Sequence, residues 1–168
     1  MTAVQWEIEA KIDSVEAMLL RVEAALSPTG MSAFLRAEVG VFLQERAKSR
    51  FASEGDPAVG GAWLPLAPAT QAIRASGEWN VGPAHPINVR TGELERYITG
   101  DEGITIPSGL GATLQYPAAP PTGAVARKVE TAQRGMGKTP ARPVLGVDAT
   151  DMLFVLTRLA FFVQEAAL

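Results

Sequence analysis

Glycine and proline are concentrated in the middle of this chain of 168 residues. Of its 16 Gly and 12 Pro, all but three lie between Gly55 and Gly146. The three exceptions are Pro28, Gly30 and Gly40. Because both residue types interrupt regular helices, we expect long helices near the two ends of the chain, with turns and short strands between them.

Apolar residues at helical spacing predict where these helices lie. A helical hairpin is expected over residues 13–51, with Ser14 as its N-cap and a break at Ser27. A C-terminal helix is expected over residues 148–167, with Asp148 as its N-cap. The residues expected on the buried stripes are Val15, Met18, Leu19, Val22 and Leu26, then Leu35, Val39, Phe42, Leu43, Ala47 and Phe51, and finally Leu153, Leu156, Leu159, Ala160 and Val163.

The central region predicts a mixture of loop and strand. Residues 52–92 are expected to form a long loop with a short helix near residues 69–75. Residues 93–147 are expected to form a sheet with an extended arm over residues 117–142. The predicted strands are residues 94–99, 103–106, 112–116 and 142–147. The whole chain then makes a single α+β domain over residues 1–168. Its helical hairpin and long C-terminal helix pack on a small, mainly antiparallel β-sheet with long extended loops.

The composition removes several classes of function. The chain has no Cys and one His, which excludes disulfide scaffolds, thiolate nucleophiles and most zinc or iron sites. No apolar run approaches the ~18–20 residues of a membrane span, and no positively charged leader precedes an apolar stretch. We therefore expect a soluble protein made in a reducing cytoplasm, not an enzyme, with no cofactor and no catalytic, cofactor-binding or metal-binding residues.

Two features resemble catalytic or nucleotide-binding motifs without completing them. The segment 135–139 is similar to the end of a phosphate-binding loop, but Ala132 stands where that pattern needs Gly, and prolines follow instead of a helix. His85 lies in the loop with no second His and no carboxylate within several residues. A loop histidine without a special role is the simpler interpretation, and an acid/base pair with a distant carboxylate is the alternative.

Residues 120–143 form a basic segment in an acidic chain. They carry a net charge of +4, which leaves −7 for the remainder of a chain whose total is −3. The segment is interpreted as a solvated loop, as a surface that meets an acidic neighbouring subunit, or as a surface that faces DNA. Its five basic residues are Arg127, Lys128, Arg134, Lys138 and Arg142.

Three large apolar residues, Trp63, Leu64 and Leu66, lie within the Gly/Pro-rich loop, where neither helical nor strand periodicity explains them. One interpretation is that the loop is held against the core of its own chain. The other is that Trp63 binds a partner, since Trp is enriched among the residues that dominate interface energies.

Several separated strings occur in one order along the middle of the chain. They are Arg50-Phe51, Gly55, Gly61-Ala62-Trp63-Leu64-Pro65-Leu66 with Thr70, Arg90-Thr91-Gly92-Glu93-Leu94, Ala112 and Tyr116, Gln133-Arg134-Gly135, and Pro140-Ala141-Arg142-Pro143-Val144-Leu145-Gly146. Together, over roughly residues 50–151, they resemble the phage virion morphogenesis (tail completion) family. The sequence departs from the family at Ala132, where a His is common, and in a longer, proline-rich segment at residues 77–89.

The resemblance implies a structural virion protein of the head–tail junction of a tailed bacteriophage, without cofactor or reaction. It implies a homo-oligomeric ring of six or twelve copies that completes or terminates the tail, joins it to the head and contacts other neck and tail proteins, with DNA in its channel and no membrane. The expected location is the virion, and the host cytoplasm during assembly. The alternative is a virion-associated DNA-binding or assembly accessory protein. The interface candidates are Trp63, Leu64, Leu66, Tyr116, Arg127, Lys128, Arg134, Lys138 and Arg142.

Overall fold

A computed structural model of the protein describes residues 3–56, 61–77, 86–89, 91–101, 104, 114–118 and 123–168, with side chains from residue 14 onward. The chain forms two compact units. Unit 1 combines the two ends of the chain, residues 1–40 and 147–168, with residues 106–114. Unit 2 comprises residues 41–105 and 115–146. Compactness does not establish independent folding, so the single domain stays a prediction.

The described part of unit 1 is helical. Helix α1 (Ala3–Leu26) packs against the C-terminal helix α7 (Ala149–Ala167), and helix α2 (Pro28–Phe34) continues into a π-helical turn (Leu35–Gly40). The rings of Phe34 and Phe162 lie 5.0 Å apart between centroids. The predicted break at Ser27 is confirmed, because its hydroxyl accepts a hydrogen bond from the Gly30 amide and caps α2.

The helix termini differ from the prediction at one end of the chain and agree with it at the other. Helix α1 begins at Ala3, so Ser14 lies inside the helix and the predicted N-cap was wrong. Asp148 is the N-cap of α7, as predicted. Its carboxylate accepts from the Asp151 amide at 2.8 Å, while the Asp151 carboxylate accepts from the Asp148 amide at 3.2 Å. This reciprocal capping box satisfies two amides that would otherwise lack partners.

The predicted buried stripes of α1 and α7 are only partly buried. Val15, Leu19 and Leu26 are about half exposed, and Leu153 and Leu156 are more exposed still, at 64% and 56%. Periodicity correctly showed that these residues share a helix face, but it does not show which faces of two packed helices meet. These stripes therefore remain apolar surface on the described unit.

Unit 2 has short helices around one apolar core. Its elements are α3 (Val41–Ser53), β1 (Gly55–Asp56), β2 (Gly61–Ala62), α4 (Pro68–Ala75), α5 (Glu93–Thr99) and α6 (Gly123–Arg134). The core residues are Ala47, Phe51, Trp63, Ile87, Leu94, Tyr97, Ile98, Val125, Ala132 and Val144. The predicted short helix near residues 69–75 is confirmed as α4.

The two strands form an antiparallel pair in which Gly55 lies opposite Ala62 and Asp56 opposite Gly61. Glycine is required at position 55 because a Cβ there would lie 2.4 Å from the Gly61 carbonyl oxygen. The α+β class is confirmed, with a mostly helical chain and this small antiparallel sheet.

The strand predicted over residues 94–99 was wrong, because these residues belong to helix α5. Leu94, Tyr97 and Ile98 are all buried at i, i+3 and i+4, which is the spacing of one helix face. Helical hydrogen bonds extend to both ends of α5, because the Arg96 amide donates to the Gly92 carbonyl and the Gly100 amide donates to the Arg96 carbonyl.

The extended arm over residues 117–142 was also wrong in part, because α6 occupies residues 123–134. Val125, Val129 and Ala132 recur at i, i+4 and i+7 and pack on the core of unit 2, while charged residues take the opposite face. The predicted strand at residues 142–147 is irregular. Most of the strands predicted at 103–106 and 112–116 lies outside the described residues.

Candidate protein interface

Trp63 lies inside the core of unit 2 and is 8% exposed. Its indole Nε1 donates a hydrogen bond to the Pro143 carbonyl at 3.1 Å, and its ring meets Phe51 edge-on with centroids 5.8 Å apart. The Trp63 amide also donates to the Glu54 carbonyl. The loop is therefore held against its own chain, which is the first of the two interpretations of this segment. Its neighbour Leu64 is 60% exposed, and Leu66 is half-buried.

Arg142 holds the same loop from the other side. Arg142 is 5% exposed, and its guanidinium donates to the carbonyl oxygens of Leu64 at 2.8 Å and Pro65 at 3.0 Å. Burial lowers the pKa of Arg142 from its ordinary value, and the positive charge of Arg74 lowers it further. Arg142 is thus a buried residue of unit 2 and not part of an extended basic surface.

Gln133 joins α6 to the segment that follows the turn. Its amide oxygen accepts from the Val144 amide at 2.8 Å and the Leu145 amide at 3.0 Å, while its amide nitrogen donates to the Leu145 carbonyl at 3.1 Å. One side chain therefore replaces the backbone ladder that a paired strand would supply. This explains why glutamine suits the position better than another polar residue.

The segment 135–139 forms a tight turn and not a phosphate-binding loop. The amides and carbonyls of Met136 and Thr139 exchange hydrogen bonds of 3.0 and 2.9 Å. Gly135 and Gly137 both have positive φ, of 73° and 58°. Irregular chain follows the turn, so no helix N-terminus faces it within residues 140–148.

Arg50 forms an ion pair in the core. It is buried, and its Nε and Nη2 atoms lie 2.9 and 2.8 Å from the same Asp56 oxygen. Arg46 approaches the other Asp56 oxygen at 3.6 Å. The arrangement joins α3 to β1.

Tyr116 is half-buried, and its hydroxyl donates to the Ile98 carbonyl at 3.1 Å. Burial raises the pKa of Tyr116 well above its ordinary value of 10.0. The Tyr97 hydroxyl likewise donates to the Ala118 carbonyl. Both tyrosines therefore connect helix α5 to the segment 115–118, and Tyr116 offers little surface to a partner.

The remaining basic candidates lie at or near the surface. Arg127, Arg134 and Lys138 are exposed, whereas Lys128 is partly exposed and forms an ion pair with Glu93. Together with Leu64, these are the interface candidates whose side chains reach solvent. The sequence left open whether Trp63 is buried or binds a partner, and it gave no sign that Arg142 is buried, because both residue types also occur at interfaces.

The carboxylates that were considered for acid/base chemistry make structural contacts instead. Asp148 and Asp151 cap a helix, Glu93 pairs with Lys128, and His85 lies outside the described residues. Among the described residues, no group of three or more His, Cys, Asp or Glu is arranged to hold a metal ion. None of the described helices has both the length and the apolar character needed to cross a membrane.

Comparison with known proteins gives one match. The model of the phage virion morphogenesis family matches residues 10–161, most of the chain. No curated protein and no solved structure matches. The match extends beyond the strings quoted above and includes much of α1 and α7. The chain therefore belongs to the phage virion morphogenesis family, whose members serve in the structure and assembly of the phage virion.

Proposed function

We propose that the protein forms a homo-oligomeric ring at the head–tail junction, where it completes or terminates the tail and joins it to the head. Family membership supports a virion role. The observation that carries the finer proposal is the exposed apolar surface of the helix pair in unit 1. Such a surface is unfavourable in water and is typical of a protein that is covered in its assembly.

The apolar surface follows helical spacing on both helices. In α1, Val15, Leu19 and Leu26 recur at i, i+4 and i+11 and are each about half exposed. In α7, Leu153 and Leu156 recur at i and i+3. Covering the exposed part of one such side chain contributes about 1 kcal/mol, since complete burial of a Leu is worth about 1.5–3 kcal/mol. Several such residues per copy favour association with a second copy of this chain.

A closed ring requires two different patches on each copy, because only head-to-tail contacts can continue around a circle. The apolar surface of unit 1 supplies one patch. In unit 2, Leu64 and Met136 are exposed apolar residues, and Lys138 is an exposed cation. These residues are the second candidate patch.

The charges favour this connector over a DNA-binding accessory protein. Of the five basic residues in the segment 120–143, Arg142 is buried and Lys128 is paired with Glu93. The other three are exposed. The three exposed cations that this segment offers per copy can contact DNA non-specifically in a channel, but a dedicated DNA-binding segment needs to neutralise more phosphates.

Native mass spectrometry of the purified protein, alone and mixed with isolated tails, tests the proposal. We expect closed oligomers of six or twelve copies, either in solution or on the tails. Leu153→Glu should dissociate them, because each copy then places a carboxylate in an apolar contact. Ser49→Glu is the matched control, since it adds the same charge at an exposed helical position of unit 2 that belongs to neither apolar stripe.

Three results would contradict the proposal. The first is a monomer or a closed dimer that never joins tails. The second is equal loss of oligomers in Leu153→Glu and Ser49→Glu, which would reveal a charge effect and not a specific contact. The third is tight, salt-sensitive binding to duplex DNA by the monomer, which would support the accessory role instead.

A further inference from the structure

The two compact units carry opposite net charge. Unit 1 contains nine acidic and four basic residues, whereas unit 2 contains nine acidic and eleven basic residues. The net charges are therefore −5 for unit 1 and +2 for unit 2, which together give the −3 of the whole chain. Since surfaces of opposite charge attract each other, unit 1 of one copy and unit 2 of another copy are electrostatically complementary.

Exposed carboxylates lie on the apolar face of α1. Glu16 and Glu23 are exposed and seven residues apart, so they lie about 20° apart around the helix and about 10.5 Å apart along it. Leu19, which is 55% exposed, lies between them on the same side. Arg21 is directed at α7 instead, because its Nε donates to the Ala166 carbonyl at 3.3 Å. This exposed face of α1 is therefore both apolar and acidic.

Helix α6 of unit 2 presents cations at the same spacing. Arg127 and Arg134 are exposed and also seven residues apart, so their separations around and along the helix are again about 20° and about 10.5 Å. Glu130 is exposed beside them, and Lys138 is exposed beyond the end of the helix. The exposed charges of residues 123–138 are therefore three cations and one carboxylate, which leaves this face basic.

These two carboxylates and two guanidinium groups are not paired within their own copy. Across the residues that the structure describes, none of the four forms an ion pair. An ion pair within one copy would compete with a contact between copies. The four charges can therefore pair with those of another copy.

The equal spacing fits two helices that lie side by side. The axes of packed helices are about 8–10 Å apart, a distance that Glu and Arg side chains together span. With about 10.5 Å between the charges on each helix, both carboxylates can meet both guanidinium groups at once. The hydrocarbon stems of the arginines would then cover Leu19, which lies between the two carboxylates.

We propose that the acidic, apolar face of α1 in one copy binds the basic face of α6 in the next copy, with the two carboxylates paired to the two arginines. This inference rests on the proposed function and deepens it, because it names the two surfaces that meet at each contact of the ring. The contact is head-to-tail, since the two faces belong to different units, and it can therefore repeat until a ring closes.

Two charge-reversed variants and their mixture test the contact, with oligomers measured by native mass spectrometry in solution and on isolated tails. Glu16→Arg/Glu23→Arg makes both faces basic, and Arg127→Glu/Arg134→Glu makes both faces acidic. In each variant alone, association should weaken by about tenfold or more, because like charges then face each other at every contact. An equimolar mixture should restore oligomers in which the two variants are equally represented, since every acidic face again meets a basic one.

Glu45→Arg/Glu165→Arg is the matched control, because it changes the net charge by the same amount at two exposed positions on other helices. Glu165 lies about 120° around α7 from Leu153 and about 180° from Leu156, so it is not on the apolar stripe of that helix. The ion pair of Glu45 with Lys48 is on the surface, and its loss has little effect on stability. This control should keep its oligomers.

Oligomers that persist in either reversed variant alone, although Leu153→Glu dissociates them, would overturn this contact and leave the ring itself standing. Equal loss of oligomers in the control would also overturn it, because net charge would then be the cause. A mixture that restores no oligomers would overturn it too, and restoration by all four changes in one chain would then assign the charges to a single copy. If the unchanged protein forms no oligomer, either alone or on tails, the proposed function itself fails and this contact fails with it.

Discussion

Replacement of Trp63 tests whether its loop belongs to the core or to an interface. Trp63→Ala removes the edge-on contact with Phe51 and the hydrogen bond to the Pro143 carbonyl. It also leaves a cavity, because the lost side chain belongs to a residue that is only 8% exposed. Loss of a buried aromatic side chain costs about 3–5 kcal/mol in free energy of unfolding. Trp63→Phe keeps most of the packing and loses the hydrogen bond, so we expect about 1–2 kcal/mol.

Urea unfolding followed by circular dichroism measures both changes in stability. All variants are compared at one low protein concentration, because the apparent stability of an oligomer depends on protein concentration. The free energy of unfolding falls by about 1–3 kcal/mol for each 1 M of urea. A loss of about 3–5 kcal/mol in Trp63→Ala should therefore lower the urea midpoint by about 1 M or more. Leu64→Ala is the control, because this neighbouring side chain is 60% exposed and its loss should change stability by about 0.5 kcal/mol or less.

A Trp63→Ala variant that unfolds at the midpoint of the unchanged protein, or a Leu64→Ala variant as destabilised as Trp63→Ala, would contradict the assignment of Trp63 to the core. An unchanged midpoint of Trp63→Ala together with lost oligomers would mean that Trp63 acts between copies and not within unit 2.

Three further predictions concern unit 2. Gln133→Ala should destabilise the chain by about 2–3 kcal/mol in the same urea assay, because two backbone amides lose their acceptor; Gln133→Glu, which keeps an acceptor oxygen, should cost less. Gly135→Ala should be more destabilising than Gly137→Ala, since a Cβ at 135 would lie 2.7 Å from the Thr139 carbonyl oxygen while a Cβ at 137 meets nothing within 4 Å; equal thermal midpoints would contradict this. Burial raises the pKa of Tyr116, so the folded chain holds that proton more tightly than the unfolded chain does. Its stabilising contribution is then complete below about pH 10 and is lost as the pH rises through the raised pKa. Thermal unfolding from pH 7 to 11 should show this loss, with a shallower fall in Tyr116→Phe.

Several residues of the strings that carry the family resemblance stabilise the fold of unit 2. Arg50 pairs with Asp56, Gly55 permits the close approach of Gly61, and Gln133 binds the backbone of the segment that follows. Their spacing made the family recognisable before any contact was known. What they do individually was not predictable, because their partners are distant in sequence. Arg142, for example, bonds to carbonyls 77 and 78 positions away.

Local sequence signals predicted the features that depend on neighbouring residues. Pro and Gly confined the long helices to the ends of the chain, and Asp148 specified a helix start. These signals are local because capping and helical hydrogen bonds join residues within about four positions. The composition offers few groups for catalysis, and the virion role followed from the resemblance of the ordered strings to the family.

Which side chains are buried depends on the tertiary structure. It buried Trp63 and Arg142 and left Leu153 exposed on α7. It also decided that residues 93–99 are a helix, since the buried positions follow helical and not alternating spacing. The physical reason is that burial depends on which elements pack together, and packing joins residues that are far apart along the chain.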